Sequence, residues 1–452
     1  MAQAVAWTEQ ARRPGSPEAR RDGWGIYLLL VVILAPVLVP SGPAQSAFLD
    51  VVNFVALPIF AATMLVRRKP VVVPFLLPVF LIALASLIAT MNATSARDAA
   101  LTMIQDTYLF LWFVVLVNLL RDRRDLTGFR VAWMWVANLI ALYGLVMVLA
   151  QEGASPGALF GARGARAMAT FQNPNMFADY LVMSFFIVLS LGEEAGRIVR
   201  LLSAGLILAA LVATKSNGAF IALGAGLVAW GLARAWTLRL PAIGLLAAAL
   251  LGGSVLFAGV WLVRGLGVGE AGIESLRAGS VLGRASHSAE GRFRIWKALL
   301  RSYAEKPLGL GPGNSRSIEV SVEERMRRES FMSKEAHNDY LAYLVERGPL
   351  ALIGMLAIKW QAFGKITGWW RQRARRGRGS GAALAAAAIA ALVATSVHSF
   401  TLETLHFRHL WVFLALVCAM DGMVFQARRA ARGLETGASG PEVRPAVAEA
   451  VA

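Results

Sequence analysis

Apolar residues in this chain come in runs of about 17–25, the length that spans the hydrocarbon core of a bilayer. Twelve apolar spans are expected along the 452 residues, at about 25–40, 47–66, 71–90, 101–120, 130–149, 172–191, 199–213, 217–233, 241–263, 346–364, 382–400 and 407–425, the seventh and eighth being short and separated only by "TKSN". A segment of that kind crosses lipid as a helix, because every backbone N–H and C=O must be satisfied within it. The expected fold is therefore all-α: a polytopic membrane protein of about twelve transmembrane helices. The chain is 57% hydrophobic and only 16% charged, whereas a soluble domain is about a quarter charged. A soluble bundle is excluded, since its helices would alternate apolar and polar faces.

Sidedness follows from the basic loops. "RRK" (67–69), "RDRRD" (121–125), "RIVR" (197–200), "RAWTLR" (234–239) and "RQRARRGR" (371–378) alternate with loops poorer in Lys and Arg. With twelve spans all five fall on one side, together with both termini, and that side is expected to be the cytoplasm. The expected organisation is a cytoplasmic tail at 1–24, helices one to nine over 25–263, and an external loop over 264–345 that carries site helices. Helices ten to twelve follow over 346–425, then a second cytoplasmic tail at 426–452. The first apolar run begins too far in for a cleavable signal and reads as a retained span. The single cysteine, Cys418, excludes an intrachain disulfide.

The formal net charge is +17. In a soluble protein this would point to nucleic acid. Here the Lys/Arg excess of cytoplasmic loops accounts for much of it, and no nucleic-acid partner is expected. The external segment is the exception. It carries Arg264, Arg277, Arg284, Arg292, Arg294, Lys297, Arg301, Lys306, Arg316, Arg325, Arg327, Arg328 and Lys334, with Arg347 at its end. A second external loop adds Arg163 and Arg166. An external cationic surface at a membrane suits an anionic headgroup, a phosphate or diphosphate held by Arg forks.

Three stretches carry candidate chemistry. "GRFRIW" (291–296) opens a segment with apolar residues at helical spacing, Phe293, Trp296, Leu299, Leu300 and Tyr303. It reads as a helix along the membrane surface, whose arginines either bind a specific phosphate or meet lipid headgroups generally. The "GLGPG" that follows lacks the Lys-Ser/Thr of a nucleotide loop. In "FQNPNMFADYL" (171–181), Asn173-Pro174 starts a span, with Asn175 and Asp179 one turn apart on one face. The plainer reading is a polar helix cap; the functional one sets the Asn amides beside a sugar or phosphate. In "EAHNDYLAYLVERG" (335–348), read as a helix, Glu335, Asp339 and Glu346 line one stripe. His337, Leu341, Leu344 and Gly348 line the opposite side. A histidine facing leucines, among arginines, stays neutral and is a candidate general base. The bland alternative is a structural histidine.

These residues resemble the O-antigen ligase/polymerase superfamily. Its motif "H-N-x-x-L-x-x-x-x-E-x-G" is matched by His337, Asn338, Leu341, Glu346 and Gly348. "G-R-x-x-x-W" is similar to Gly291, Arg292 and Trp296, and an "N-P-N" span start to Asn173, Pro174 and Asn175. Family members often carry "S-R-G" where this chain has Ser216-Asn217-Gly218, with Lys215 just before; Lys215 would supply a point charge in place of a fork.

The resemblance implies a glycosyltransferase with a GT-C-like or related all-helical fold, independent of metal and ATP and without a cofactor. It would sit in the bacterial inner membrane with a periplasmic site and act in lipopolysaccharide biosynthesis. The donor would be a glycan on undecaprenyl diphosphate and the acceptor a hydroxyl of lipid A–core, as for an O-antigen ligase; membrane lipids surround it. Arg292, Arg284, Arg264, Arg166, Arg163 and Lys215 are the candidates to hold the diphosphate. His337 takes the acceptor's proton, Asn338 orients it, and Asn173, Asn175 and Trp296 complete the site. One displacement without a nucleophilic carboxylate implies inversion. The alternatives are a polymerase, using a second lipid-linked glycan as acceptor, and a polyprenyl-lipid transporter or flippase. The last gives His337 only a proton-coupling or structural role, and transporters place ionisable groups at mid-membrane.

Overall fold

The computed structural model describes residues 23–38, 47–120, 123–152, 165–171, 173–237, 281–324, 327–332, 336–375 and 380–437. Its helices are α1 (Trp24–Leu34), α2 (Phe48–Val66), α3 (Leu76–Ala89), α4 (Ala96–Leu119), α5 (Arg123–Glu152) and α6 (Pro174–Ser190). Then come α7 (Arg197–Thr214), α8 (Asn217–Thr237), α9 (Val281–Glu305), α10 (Asp339–Arg375), α11 (Ser380–His398) and α12 (Arg408–Gly437). Among the described residues, seven helices are long and apolar enough to cross a membrane, and α1, α3 and α6 are shorter apolar helices. The expected ninth span, 241–263, lies outside the described residues.

Among the described residues the regular structure is helical apart from one feature that the helical reading of the external loop did not include. Strands β1 (Glu319–Glu324) and β2 (Arg327–Met332) form an antiparallel hairpin, with Val320 opposite Phe331 and Val322 opposite Glu329. The alternation of Val320 and Val322 with polar neighbours is a period-2 pattern that suits a strand.

Helix starts follow local chemistry. Asn173 caps α6, its Oδ1 accepting from the Asn175 N–H at 2.8 Å with Pro174 at the first helical position. Ser95 caps α4 in the same way. Asp50 takes the Ala47 N–H at 2.7 Å and starts α2. The core is built on α11, whose alanines Ala385, Ala386, Ala390, Ala391 and Ala394 are buried. Small side chains let α6 and α8 approach α11 closely, as van der Waals packing within a bilayer requires. The outer surface carries Phe54, Val51, Ile104, Leu139 and Trp360, each more than half exposed, as suits contact with lipid.

Helix α10 is broken. Gly348 has φ 78° and ψ 178°, a combination essentially restricted to glycine. A straight helix would hold Asp339 and Lys359 about 30 Å apart. Instead both reach one residue: the Asp339 N–H donates to Ser399 O at 2.9 Å, and Lys359 Nζ donates to Ser399 Oγ at 2.9 Å. The segment 339–347 therefore folds back beside 349–375, and the two make a V with Gly348 at its apex. The expected span, 346–364, begins at the end of the first arm and runs over the apex into the second; most of the first arm lies in the expected external loop.

Candidate functional site

The apex of the V is locked to the "GLGPG" turn. Gly309 has φ 107°, and a Cβ there would lie 2.5 Å from Glu346 O. Leu310 and Gly311 N–H groups donate to Val345 O and Glu346 O, each at 2.9 Å. The Glu346 carboxylate accepts from the Gly313 N–H (2.8 Å), the Ser315 N–H (3.3 Å) and Ser315 Oγ (2.6 Å). Amides that in a nucleotide loop would face phosphate here face a glutamate of the same chain. Asn314 ties this turn to residues 94–95, through Thr94 Oγ1 at 2.9 Å and the Ser95 N–H at 2.7 Å.

His337 lies just before the first arm, not on it. Its φ is 51°, and the helix begins at Asp339. Asn338 is the cap: its Oδ1 accepts from the Leu341 N–H at 3.1 Å. The helical-wheel argument that turned His337 toward Leu341 and Leu344 is thereby overturned, because the helical phase does not extend to residue 337. The turn is instead set by two outside contacts. Glu403 Oε1 accepts from the Ala336 N–H (2.7 Å) and the His337 N–H (3.2 Å). Trp296 Nε1 donates to Ala336 O at 2.9 Å. Trp296 belongs to α9, which buries Leu299 against Ala336, Ala342 and Val345 of the first arm.

Arg292 is four residues before Trp296 and so shares its helix face. That face meets the His337 turn. Burial lowers the Arg292 guanidinium's pKa from its usual value, the mark of a partly desolvated cation that gains from an anionic partner.

A second group forms between α6, α7 and α8. Arg166 donates through Nε to Thr214 O (2.8 Å) and through NH2 to Asn175 Oδ1 (2.9 Å). Lys215 ends α7 in the left-handed conformation, φ 54°, and is buried. Gly218 lies against Thr401 and His398, so this group reaches the far side of the connection between α11 and α12. Of the other expected residues, Arg163 and Arg264 lie outside the described residues, as does the side chain of Arg284.

That α11–α12 connection, 399–407, is where the structure goes beyond the sequence reading. Asp339 takes the Thr404 N–H and hydroxyl at 3.0 and 2.6 Å. Arg408 forms a two-point ion pair with Asp50 on α2. Behind Asp50 runs a chain of bonds: Tyr108 Oη to Asp50 (2.7 Å), Asn53 to Tyr108 (2.6 Å), Tyr27 Oη to Asn53 (2.8 Å) and Trp112 to Tyr27 (3.0 Å).

Between this pair and the first arm lies a cavity of about 830 Å³. One wall is apolar, from Phe54, Leu57, Pro58, Leu101 and Ile104 of α2 and α4. The other is charged, with Arg316, Arg347 and Arg408 beside Asp106, Asp339, Glu346 and Glu403. Arg347 pairs with Asp106 and covers the Tyr343 ring at 4.6 Å. Of the expected diphosphate-binding cations among the described residues, Arg166, Lys215 and Arg292 do not line it. His337 adjoins it through Glu403 and Asp339, which do. Arg408 sits in "HFRH", an unusual polar opening for an apolar run, and this was the available signal.

Residues 202–356, from α7 through the hairpin to the first turns of the V's second arm, match the family model described as O-Antigen ligase. That match covers about a third of the chain and supports a likeness to the O-antigen ligase superfamily. It contains Lys215, Arg292, Trp296, His337 and Asn338, whereas Asp50 and Arg408 lie outside it. A comparison with curated proteins finds none that matches. The family supports membrane glycosyl transfer in O-antigen processing and a lipid-linked glycan as substrate.

Proposed function

We propose that this protein moves a glycan en bloc from undecaprenyl diphosphate to a hydroxyl of lipid A–core, with its site on the periplasmic face of the inner membrane. The supporting observation is the amphipathic cavity beside the His337 turn. A lipid-linked sugar is apolar at one end and anionic at the other. The cavity has an apolar wall on α2 and α4 and a charged wall, where Arg316 stands beside the Arg347–Asp106 and Arg408–Asp50 pairs and further carboxylates, so it is divided into apolar and polar sides as such a substrate is.

In this reading His337 removes the acceptor's proton as the hydroxyl attacks the anomeric carbon in line. General-base help of this kind is worth about 10²–10⁴-fold. Arg292, on the α9 face that carries Trp296, takes the diphosphate as it leaves, with Arg284 about two turns earlier on α9. Asn338 acts on the His337 turn as a cap. Arg166 and Lys215 brace the group beside Asn175. The leaving diphosphate supplies the driving force, and both termini lie in the cytoplasm.

The test is incubation of the purified full chain with undecaprenyl-diphosphate glycan and lipid A–core, without ATP or added metal. Glycan joined to lipid A–core is expected. Joining only to a second lipid-linked glycan would make the protein a polymerase. Movement of the lipid across vesicles without transfer would make it a flippase.

A further inference from the structure

Asp179, on α6, is 1% exposed and is bonded to two histidines from different helices. Its Oδ1 lies 2.6 Å from His398 Nδ1, and its Oδ2 lies 2.8 Å from His409 Nε2. A carboxylate only accepts, so His398 carries its proton on Nδ1 and His409 on Nε2. Both rings are buried, and those of Phe171, Tyr180 and Phe407 pack against His409 at 5.3–6.2 Å. His398 ends α11 and His409 is the second residue of α12. One carboxylate thus closes the base of the 399–407 connection.

The connection is short of regular structure, yet its polar groups are spent on the site. Ser399 binds the Asp339 N–H and Lys359. Glu403 holds the N–H groups of Ala336 and His337. Thr404 binds the Asp339 carboxylate. His406 and Arg408 line the cavity. Glu403, which takes the His337 N–H, belongs to a segment whose two ends meet at Asp179.

We infer that Asp179 is a positioning residue for glycosyl transfer: by joining His398 to His409 it fixes the 399–407 connection and, through Glu403, the placement of His337. The inference rests on the transferase reading above. Asp179 is not among the residues that line the cavity. Its effect is on geometry, and a displacement of about 1 Å at a reacting group can cost about 100-fold in rate.

The test uses full-length Asp179→Asn protein and two measurements. Single-turnover transfer separates rate constant from amplitude. A positioning role lowers the rate constant about 10- to 100-fold while amplitude and donor binding are kept. A purely structural brace lowers the amplitude, leaving the surviving molecules at the normal rate, and would overturn the inference. Amide exchange over 399–407 reports the connection directly and needs no activity; faster exchange is expected, and unchanged exchange would also overturn it. Should wild-type protein transfer no glycan while exchange responds as expected, the transferase reading falls and the clamp on the connection stands. His409→Phe removes one arm of the clamp and His409→Gln retains a donor there. The first is expected to behave like Asp179→Asn and the second to recover most of the rate, which keeps the test open if Asp179→Asn fails to fold.

Discussion

Gly348→Ala tests the V directly. At φ 78° and ψ 178° an alanine is strained by about 1–3 kcal/mol. Its Cβ would also lie 2.9 Å from Leu308 O and 3.1 Å from Leu308 C. Both are backbone atoms, so no rotamer relieves the contact, and either the "GLGPG" turn or the first arm must move. The bonds at risk are Leu310 N–H to Val345 O and Gly311 N–H to Glu346 O, each worth about 0.5–1.5 kcal/mol. Strain and lost bonds together cost about 2–6 kcal/mol. Gly368 is the control: it lies in the same helix, a methyl group added there would meet nothing within 4 Å, and Ala gains about 0.5–1 kcal/mol of helix propensity. Thermal unfolding in one detergent, followed by tryptophan fluorescence, compares the two. Gly348→Ala should unfold well below wild type and transfer poorly, and Gly368→Ala at or slightly above it. A Gly348→Ala protein as stable as wild type would refute the glycine-only apex and with it the folded-back arm.

Arg292→Ala should weaken donor binding by about 1.5–3 kcal/mol, measured by titration with undecaprenyl diphosphate, and Arg292→Lys by less, since Lys keeps the charge and loses only the fork. Trp296→Phe keeps the ring but removes the bond to Ala336 O; a fall in turnover with little change in donor affinity is expected from steady-state kinetics. Cysteines introduced at Ser330 and Ser380 should label from outside intact cells at the first position only, and labelling at Ser380 would overturn the expected sidedness.

The spans were legible because length and apolarity are local properties, and the Asn173-Pro174 cap because its chemistry lies within three residues. His337 was legible as a residue worth attention but not in its geometry. A helical wheel assumes an unbroken helix, and it was drawn through Asn338, a preferred cap residue, as though the helix began before it. The break at Gly348 had a local signal in the Gly348-Pro349 pair, but leucines continue at helical spacing on both sides of it. The hairpin at 319–332 was obscured by its many charges. The cavity was the least legible part, since Asp50 and Arg408 meet only through the tertiary fold. Two of the carboxylates assigned to an acidic stripe, Asp339 and Glu346, do share the cavity face, so the helical phase served well from Asp339 onward.

The central claim is that His337 takes the acceptor's proton during transfer. Single-turnover transfer by His337→Gln, measured beside wild type under equal donor occupancy, tests it most directly. Gln keeps size and hydrogen bonding but accepts no proton at neutral pH. A loss of about 10²–10⁴-fold is expected, with donor binding and folding intact. A rate near that of wild type would contradict it and leave His337 with no more than a part in placing the acceptor.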